Sequence, residues 1–152
     1  MDIPTIELKG KKFKLVDFEN EFTLERLDIA KDILTGIYGY MDGLEVTKDF
    51  KIKQGGAFRA AVNQLTIKQE AEILALIYWE EGKTFDPFKG DEYDETKTFA
   101  YHYPNYVRLF KTAPVKILKE NRKNIEDFFD FATKYSMENS LISSFGTSKK
   151  TE

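Results

Sequence analysis

His102, in the run AYHYP, is the single histidine of the chain, and there is no cysteine. Catalysis by a histidine needs a hydroxyl, thiol or carboxylate partner in a recognisable arrangement, and AYHYP supplies none, so a surface or hydrogen-bonded role is expected. The carboxylates of GDEYDE, Asp91, Glu92, Asp94 and Glu95, could meet calcium together with backbone oxygens. Their spacing is not that of an EF-hand loop, which needs ligands at alternate positions and glycine at the sixth, so a solvated acidic loop is expected. KQGG ahead of AFRAA resembles an anion-binding helix N-terminus but lacks the phosphate-loop and dinucleotide spacings, and it reads as a turn. KENRK, residues 119–123, reads as a solvated helix face. No catalytic, cofactor-binding or metal-ligating residue is therefore assigned, and no cofactor is expected.

What remains is aromatic. Between Gly82 and Pro104 the residues Phe85, Phe88, Tyr93, Phe99, Tyr101 and Tyr103 are interleaved with Asp86, Asp91, Glu92, Asp94 and Glu95. Phe99, Tyr101 and Tyr103 alternate as they would on one face of a short strand near 98–103. Aromatic side chains contribute large apolar area at low entropy cost, which suits a core and a protein interface equally. Phe99, Tyr101 and Tyr103 are accordingly the expected partner-binding residues, and the partner is expected to be protein. Stacking of single-stranded nucleic acid on these rings would need a basic groove that the neighbouring residues do not supply.

Composition narrows the classes further. With 23 basic and 26 acidic residues the net charge is −3 and the pI about 5.4, so no overall field draws in nucleic acid or an anionic membrane. The longest apolar run is too short for a bilayer span, and MDIPTIELKG has neither the basic start nor the apolar core of a signal peptide. A cytoplasmic protein is expected. The length, 152 residues, suits one domain, drawn over 1–145 with a polar tail over 146–152.

The elements that must position these groups read as follows. TIKQEAEILALIYWEEG, 66–82, is the central core helix: Thr66 and Gln69 form a capping box, and Ile67, Ala71, Leu74, Ala75 and Tyr78 share a face, with Ile73, Leu76, Ile77 and Trp79 covering most of the rest. A buried strand, ILALIYW, is the rival. IPTIELKGKKFKLVDF opens the chain as a β-hairpin about the KGKK turn, its apolar face lying on helices. Thr23 caps a helix carrying Leu27, Ala30, Leu34, Ile37, Tyr38 and Met41, ending near Thr35 or running on to Tyr40. LEVTKDFKIK, 44–53, has room for one or two short strands, and AFRAAVNQL for a short helix. After Pro104, NYVRLFKTA is a short helix. Pro114 suits a first helical position before a Val115 and Leu118 stripe, and Asn124 caps a helix facing Ile125, Phe128, Phe129, Ala132 and Tyr135 inward, the whole being one kinked helix or two. Leu141, Ile142 and Phe145 are docking residues ahead of the tail. The fold class is mainly α: a helical domain with a small N-terminal β-hairpin and one or two further short strands.

This order of elements, TIELKGKKFKL, then FTLERLDIAKDIL, then EILALIYWEE and a late NIEDFFDF helix, resembles the tail assembly chaperones of long-tailed bacteriophages and related contractile systems. The resemblance covers about two thirds of the chain. It implies a small helical protein of the bacterial cytoplasm with no active site, which binds amphipathic helices of the tape measure protein or a tail-tube component before assembly, alone or as an oligomer. Two other classes stand beside it: a structural component of such a particle, and a small enzyme acting through the carboxylates of 86–95.

Overall fold

The computed structural model describes residues 3–40, 65–132, 134 and 135, the side chains of 37–40 apart. The expected strands over 44–53, the short helix over 57–65 but for Leu65, the KQGG turn, the Leu141, Ile142 and Phe145 docking residues and the tail lie outside these residues. Among the described residues the chain is mostly helical, with the small N-terminal hairpin and further short strands. No described helix is long and apolar enough to cross a membrane.

Strands β1 (Thr5–Leu8) and β2 (Lys11–Leu15) are joined by two residues of positive φ, Lys9 at 49° and Gly10 at 80°, which is what a two-residue I′ hairpin loop requires. The register pairs Ile6 with Phe13, and Ile6, Leu8 and Phe13 are buried together. A lone hairpin is marginal in water. This one gains a third strand, β3 (Tyr78–Glu80), antiparallel to β2, and lays Phe13 on the Tyr106 and Phe110 rings, at centroid distances of 5.7 and 5.0 Å.

β3 corrects the expected extent of the central helix. Helix α2 (Ile67–Ile77) starts with the full capping box at Thr66 and Gln69, but stops at Ile77 rather than near Gly82. Tyr78 takes an extended conformation and its N–H closes the helix on the Leu74 carbonyl. Val16 N–H then donates to the Ile77 carbonyl at 2.9 Å. The open edge of β2 therefore captures a β-prone Tyr-Trp pair that helical periodicity alone would have extended. The rival strand reading was right for Tyr78 and Trp79 only. Six of the eleven residues of α2 are buried, including the run Ile73–Ile77, so the helix has neighbours on every side, α1 and α3 among them. Ile67, expected to face inward, occupies the first helical position and is exposed, because burial begins one turn later at Ala71.

Helix α1 (Leu24–Tyr40) starts after Thr23, whose hydroxyl accepts from the Arg26 N–H, and it runs through Gly36 to Tyr40. The 82–104 stretch holds a two-stranded hairpin, β4 (Phe88–Lys89) and β5 (Glu92–Tyr93), and a 3-10 turn, Glu95–Lys97. Helix α3 (Phe99–Phe110) follows at once, capped by the Thr98 hydroxyl accepting from Tyr101 N–H. The expected strand over 98–103 is thus replaced by helix: Phe99, Tyr103, Tyr106 and Phe110 recur at i, i+4, i+7 and i+11, a helical stripe that overrides the short alternation. Pro104, read as a boundary, lies inside α3 on its outer face, where solvent can satisfy the Ala100 carbonyl that Pro104 leaves without its donor.

Helix α4 (Val115–Glu120) has Pro114 at its cap, not its first position, and Val115 is exposed rather than part of an inward stripe. The chain breaks at Asn121 and is helical again over 122–132, here α5, so the segment is two helices and the break precedes the expected Asn124 cap. Ile125, Phe128, Phe129 and Ala132 face the core as expected; Tyr135 is exposed. Phe131 stacks on Phe18 at 5.5 Å and meets Phe22 at 5.3 Å, tying α5 to the loop before α1.

Leu74, Ile77 and Tyr78 are all buried. Leu74→Ala is expected to lower the unfolding free energy by about 2 to 5 kcal/mol, measured by urea titration, because the truncated side chain leaves a cavity among buried neighbours. An unchanged midpoint would remove α2 from the core.

Candidate functional site

The first turn of α1 meets the end of α2 and the start of α3 through two adjacent side chains. Arg26 is 1% exposed. Its Nη1 donates to the carbonyls of Leu76, at 2.5 Å, and Tyr78, at 3.3 Å. The first carbonyl belongs to the last turn of α2, where the helix leaves acceptors unmet. The second belongs to the edge strand β3. The bonds from Val16 N–H to Ile77 and from Glu81 N–H to Lys12 turn the odd-numbered residues toward β2, so the Tyr78 carbonyl faces away from the ladder. The guanidinium also lies over the rings of Phe99 and Trp79, 3.9 and 4.7 Å from their centroids. Desolvation lowers its pKa to about 10, against opposing pulls from Tyr106, Glu25 and Glu21. Beside it, Glu25 accepts from the Phe99 N–H at 2.9 Å, supplying an acceptor for the first amide of α3.

Around this clamp the aromatic rings of the 82–106 stretch divide into an inner and an outer set. Phe85 meets Trp79 at 5.5 Å, Phe99 at 5.4 Å and His102 at 5.8 Å. Trp79 Nε1 donates to the Lys83 carbonyl, and Tyr103 donates to the Glu72 carbonyl at 2.8 Å. Tyr106 donates to Glu80 at 2.6 Å, and Lys11 lies 3.6 Å from the same carboxylate. These rings root the excursion in the core.

The outer set is Phe88, Tyr93 and Tyr101, which are 57, 60 and 51% exposed. Phe88 and Tyr93 stand opposite one another across β4 and β5, with centroids 5.3 Å apart. Gly90, at φ 66°, makes the turn between the strands. Asp94 closes the hairpin's base: its N–H donates to the Pro87 carbonyl and its carboxylate accepts from Thr96 N–H and hydroxyl, bonds that hold its pKa down.

The expected partner-binding residues are therefore split. Phe99 is buried and Tyr103 half-buried, 5.6 Å apart on the inner face of α3, whereas Tyr101 points outward. They do not form one strip, because the segment is helix. His102 Nε2 donates to the Thr96 carbonyl at 2.7 Å, a hydrogen-bonded role as expected. The KENRK run is a solvated face broken at Asn121, and Lys123 pairs with Asp127 at 2.7 Å. Among the described residues no group of three or more histidine and carboxylate side chains is placed to hold a metal ion. Sequence reasoning missed Arg26 and the Phe88 and Tyr93 pair. Arg26 stands four and eight residues before Ala30 and Leu34, in an apolar stripe; the hairpin is marked by Gly-Asp between two short runs. Comparison with protein families, curated proteins and solved structures finds no match.

Three phenols, two buried and one half-buried, give a pH test. Tyr78, which donates to Asn121 at 2.5 Å, is pushed up to about 12 by burial, against the hydrogen bonds of Asn124 and Asn121. Burial also raises Tyr103 and Tyr106, helped by Glu72 and Glu80 respectively. The folded state thus holds these protons more tightly than the unfolded one. Their contribution is complete below about pH 10 and is lost as pH rises through the folded values. Arg26 acts with the opposite sign but is one group against three. The urea midpoint is expected to fall above about pH 10, and to fall less steeply in Tyr78→Phe. A midpoint that is flat or rising there contradicts this assignment.

Proposed function

We propose that the protein is a non-enzymatic protein-binding factor whose contact surface is the outer aromatic set, Phe88 and Tyr93 with Tyr101. One observation carries the reading: two large rings stand paired and exposed on a projecting two-stranded hairpin whose root is packed into the core. An aromatic centre with a charged rim is the anatomy of an interface hot spot. The groups that could do chemistry nearby are engaged structurally, His102 by Thr96, Asp94 by Thr96 and Glu80 by Tyr106. The resemblance to phage tail assembly chaperones supplies the kind of partner: an amphipathic helical segment of a tape measure or tail-tube protein, held in the bacterial cytoplasm before assembly. Apolar helix faces left in water aggregate, and a factor that binds them shifts that equilibrium by mass action.

The test is co-expression with the products of neighbouring genes, followed by calorimetry on whichever co-purifies. Phe88→Ala with Tyr93→Ala is expected to weaken capture by about 2 kcal/mol or more while the thermal melt moves little. Tyr101→Ala should act in the same direction. Phe99→Ala, a core change, should instead cost about 3 to 5 kcal/mol of stability. Full capture by a folded Phe88 and Tyr93 double variant would sink the proposal.

A further inference from the structure

The hairpin's charge narrows the partner. Residues 86–95 carry Asp86, Asp91, Glu92, Asp94 and Glu95 against Lys89 alone, in a chain whose whole net charge is −3. Asp94 is committed to Thr96, and the Asp86 carboxylate accepts from Phe88 N–H. Asp91, Glu92 and Glu95 are exposed, and no ion pair among the described residues involves them. Glu92 stands opposite Lys89 on the other face of the hairpin, so the carboxylates left without a cation beside the exposed Phe88 and Tyr93 rings in the chain are Asp91, at the turn between them, and Glu95, two residues beyond Tyr93. A cation is attracted by both parts: by the carboxylates through simple charge and by the negative face of each ring through its quadrupole. An anionic occupant, such as nucleic acid or an acidic membrane, is repelled by the same field.

Resting on the protein-binding reading above, we infer that the segment taken by the Phe88 and Tyr93 face is a cationic one, an amphipathic helical stretch of partner chain that presents lysine or arginine beside its apolar residues. The apolar side chains cover the rings, and the cations sit against the ring faces and the Asp91 and Glu95 carboxylates. Arginine is favoured over lysine where it stacks, being planar and more weakly hydrated.

The probes are two labelled helical peptides of one length, one built of lysine and leucine and one of glutamate and leucine, titrated by fluorescence anisotropy against the full chain. The lysine peptide is expected to bind and to weaken with added salt. Its affinity should fall at least about tenfold in Phe88→Ala with Tyr93→Ala, and similarly in Asp91→Asn with Glu95→Gln. A control removing the same charge elsewhere, Glu19→Gln with Asp28→Asn, should leave it unchanged. Equal losses in the control and rim variants would mean nonspecific attraction and overturn the inference. If the glutamate peptide binds as well and still depends on Phe88 and Tyr93, the cationic class is wrong while the interface stands. If neither peptide responds to the hairpin variants, the inference falls, and capture of the co-expressed partner still decides the proposed function separately.

Discussion

A guanidinium taken out of water loses several kcal/mol of hydration, and the Arg26 site returns it through carbonyls and ring faces instead of a carboxylate. That exchange is the constraint on which the rest of the structure depends. The helix-to-strand change at Ile77 and Tyr78 leaves a helix-end carbonyl and an edge-strand carbonyl pointing to the same side, both needing a donor. One planar cation meets them together, and its faces fix Trp79 and Phe99. A lysine has the charge but neither the fork nor the plane. One buried Nη2 proton pair has no partner among the described residues, in keeping with the depressed pKa.

From this clamp the geometry of the surface follows. Trp79 and Phe99, held by Arg26, are the two rings that Phe85 packs between, and Phe85 begins the excursion that carries Phe88 and Tyr93 outward. Glu25 and the Thr98 cap fix the other end, where α3 starts. The hairpin is thus small and exposed but set on a rooted base at both ends. A surface held this way loses less freedom on binding than a free loop would.

Much of the fold was legible because several local signals agreed. Thr66 and Gln69 announced α2, the KGKK turn announced the N-terminal hairpin, and the Phe128, Phe129 and Ala132 face announced α5. The misreading of 98–103 comes from the competition of two periods in a short window, and that at the end of α2 from a contact distant in sequence. Phe99, Tyr101 and Tyr103 alternate as in a strand, but Tyr106 and Phe110 complete a helical stripe, and Thr98 supplies the cap that decides between them. Tyr78 and Trp79 continue a helical pattern, yet the unpaired edge of β2 is a tertiary demand that no local window contains. The site was legible only as a region. Its aromatic and acidic character stands in the sequence, while the division into inner and outer rings depends on which residues face Arg26, itself a charge lodged in an apolar stripe.

Native-state hydrogen exchange on Arg26→Met tests the clamp most directly, since methionine keeps the apolar stem and removes every donor. Each buried carbonyl left unmet costs about 1 to 3 kcal/mol. Protection of the Tyr78–Glu80 amides and of the first turn of α3 is expected to fall by about tenfold or more, with a smaller change in α5. Equal protection in the variant and the parent chain would mean that packing alone holds these elements together, and that Arg26 is not what organises them.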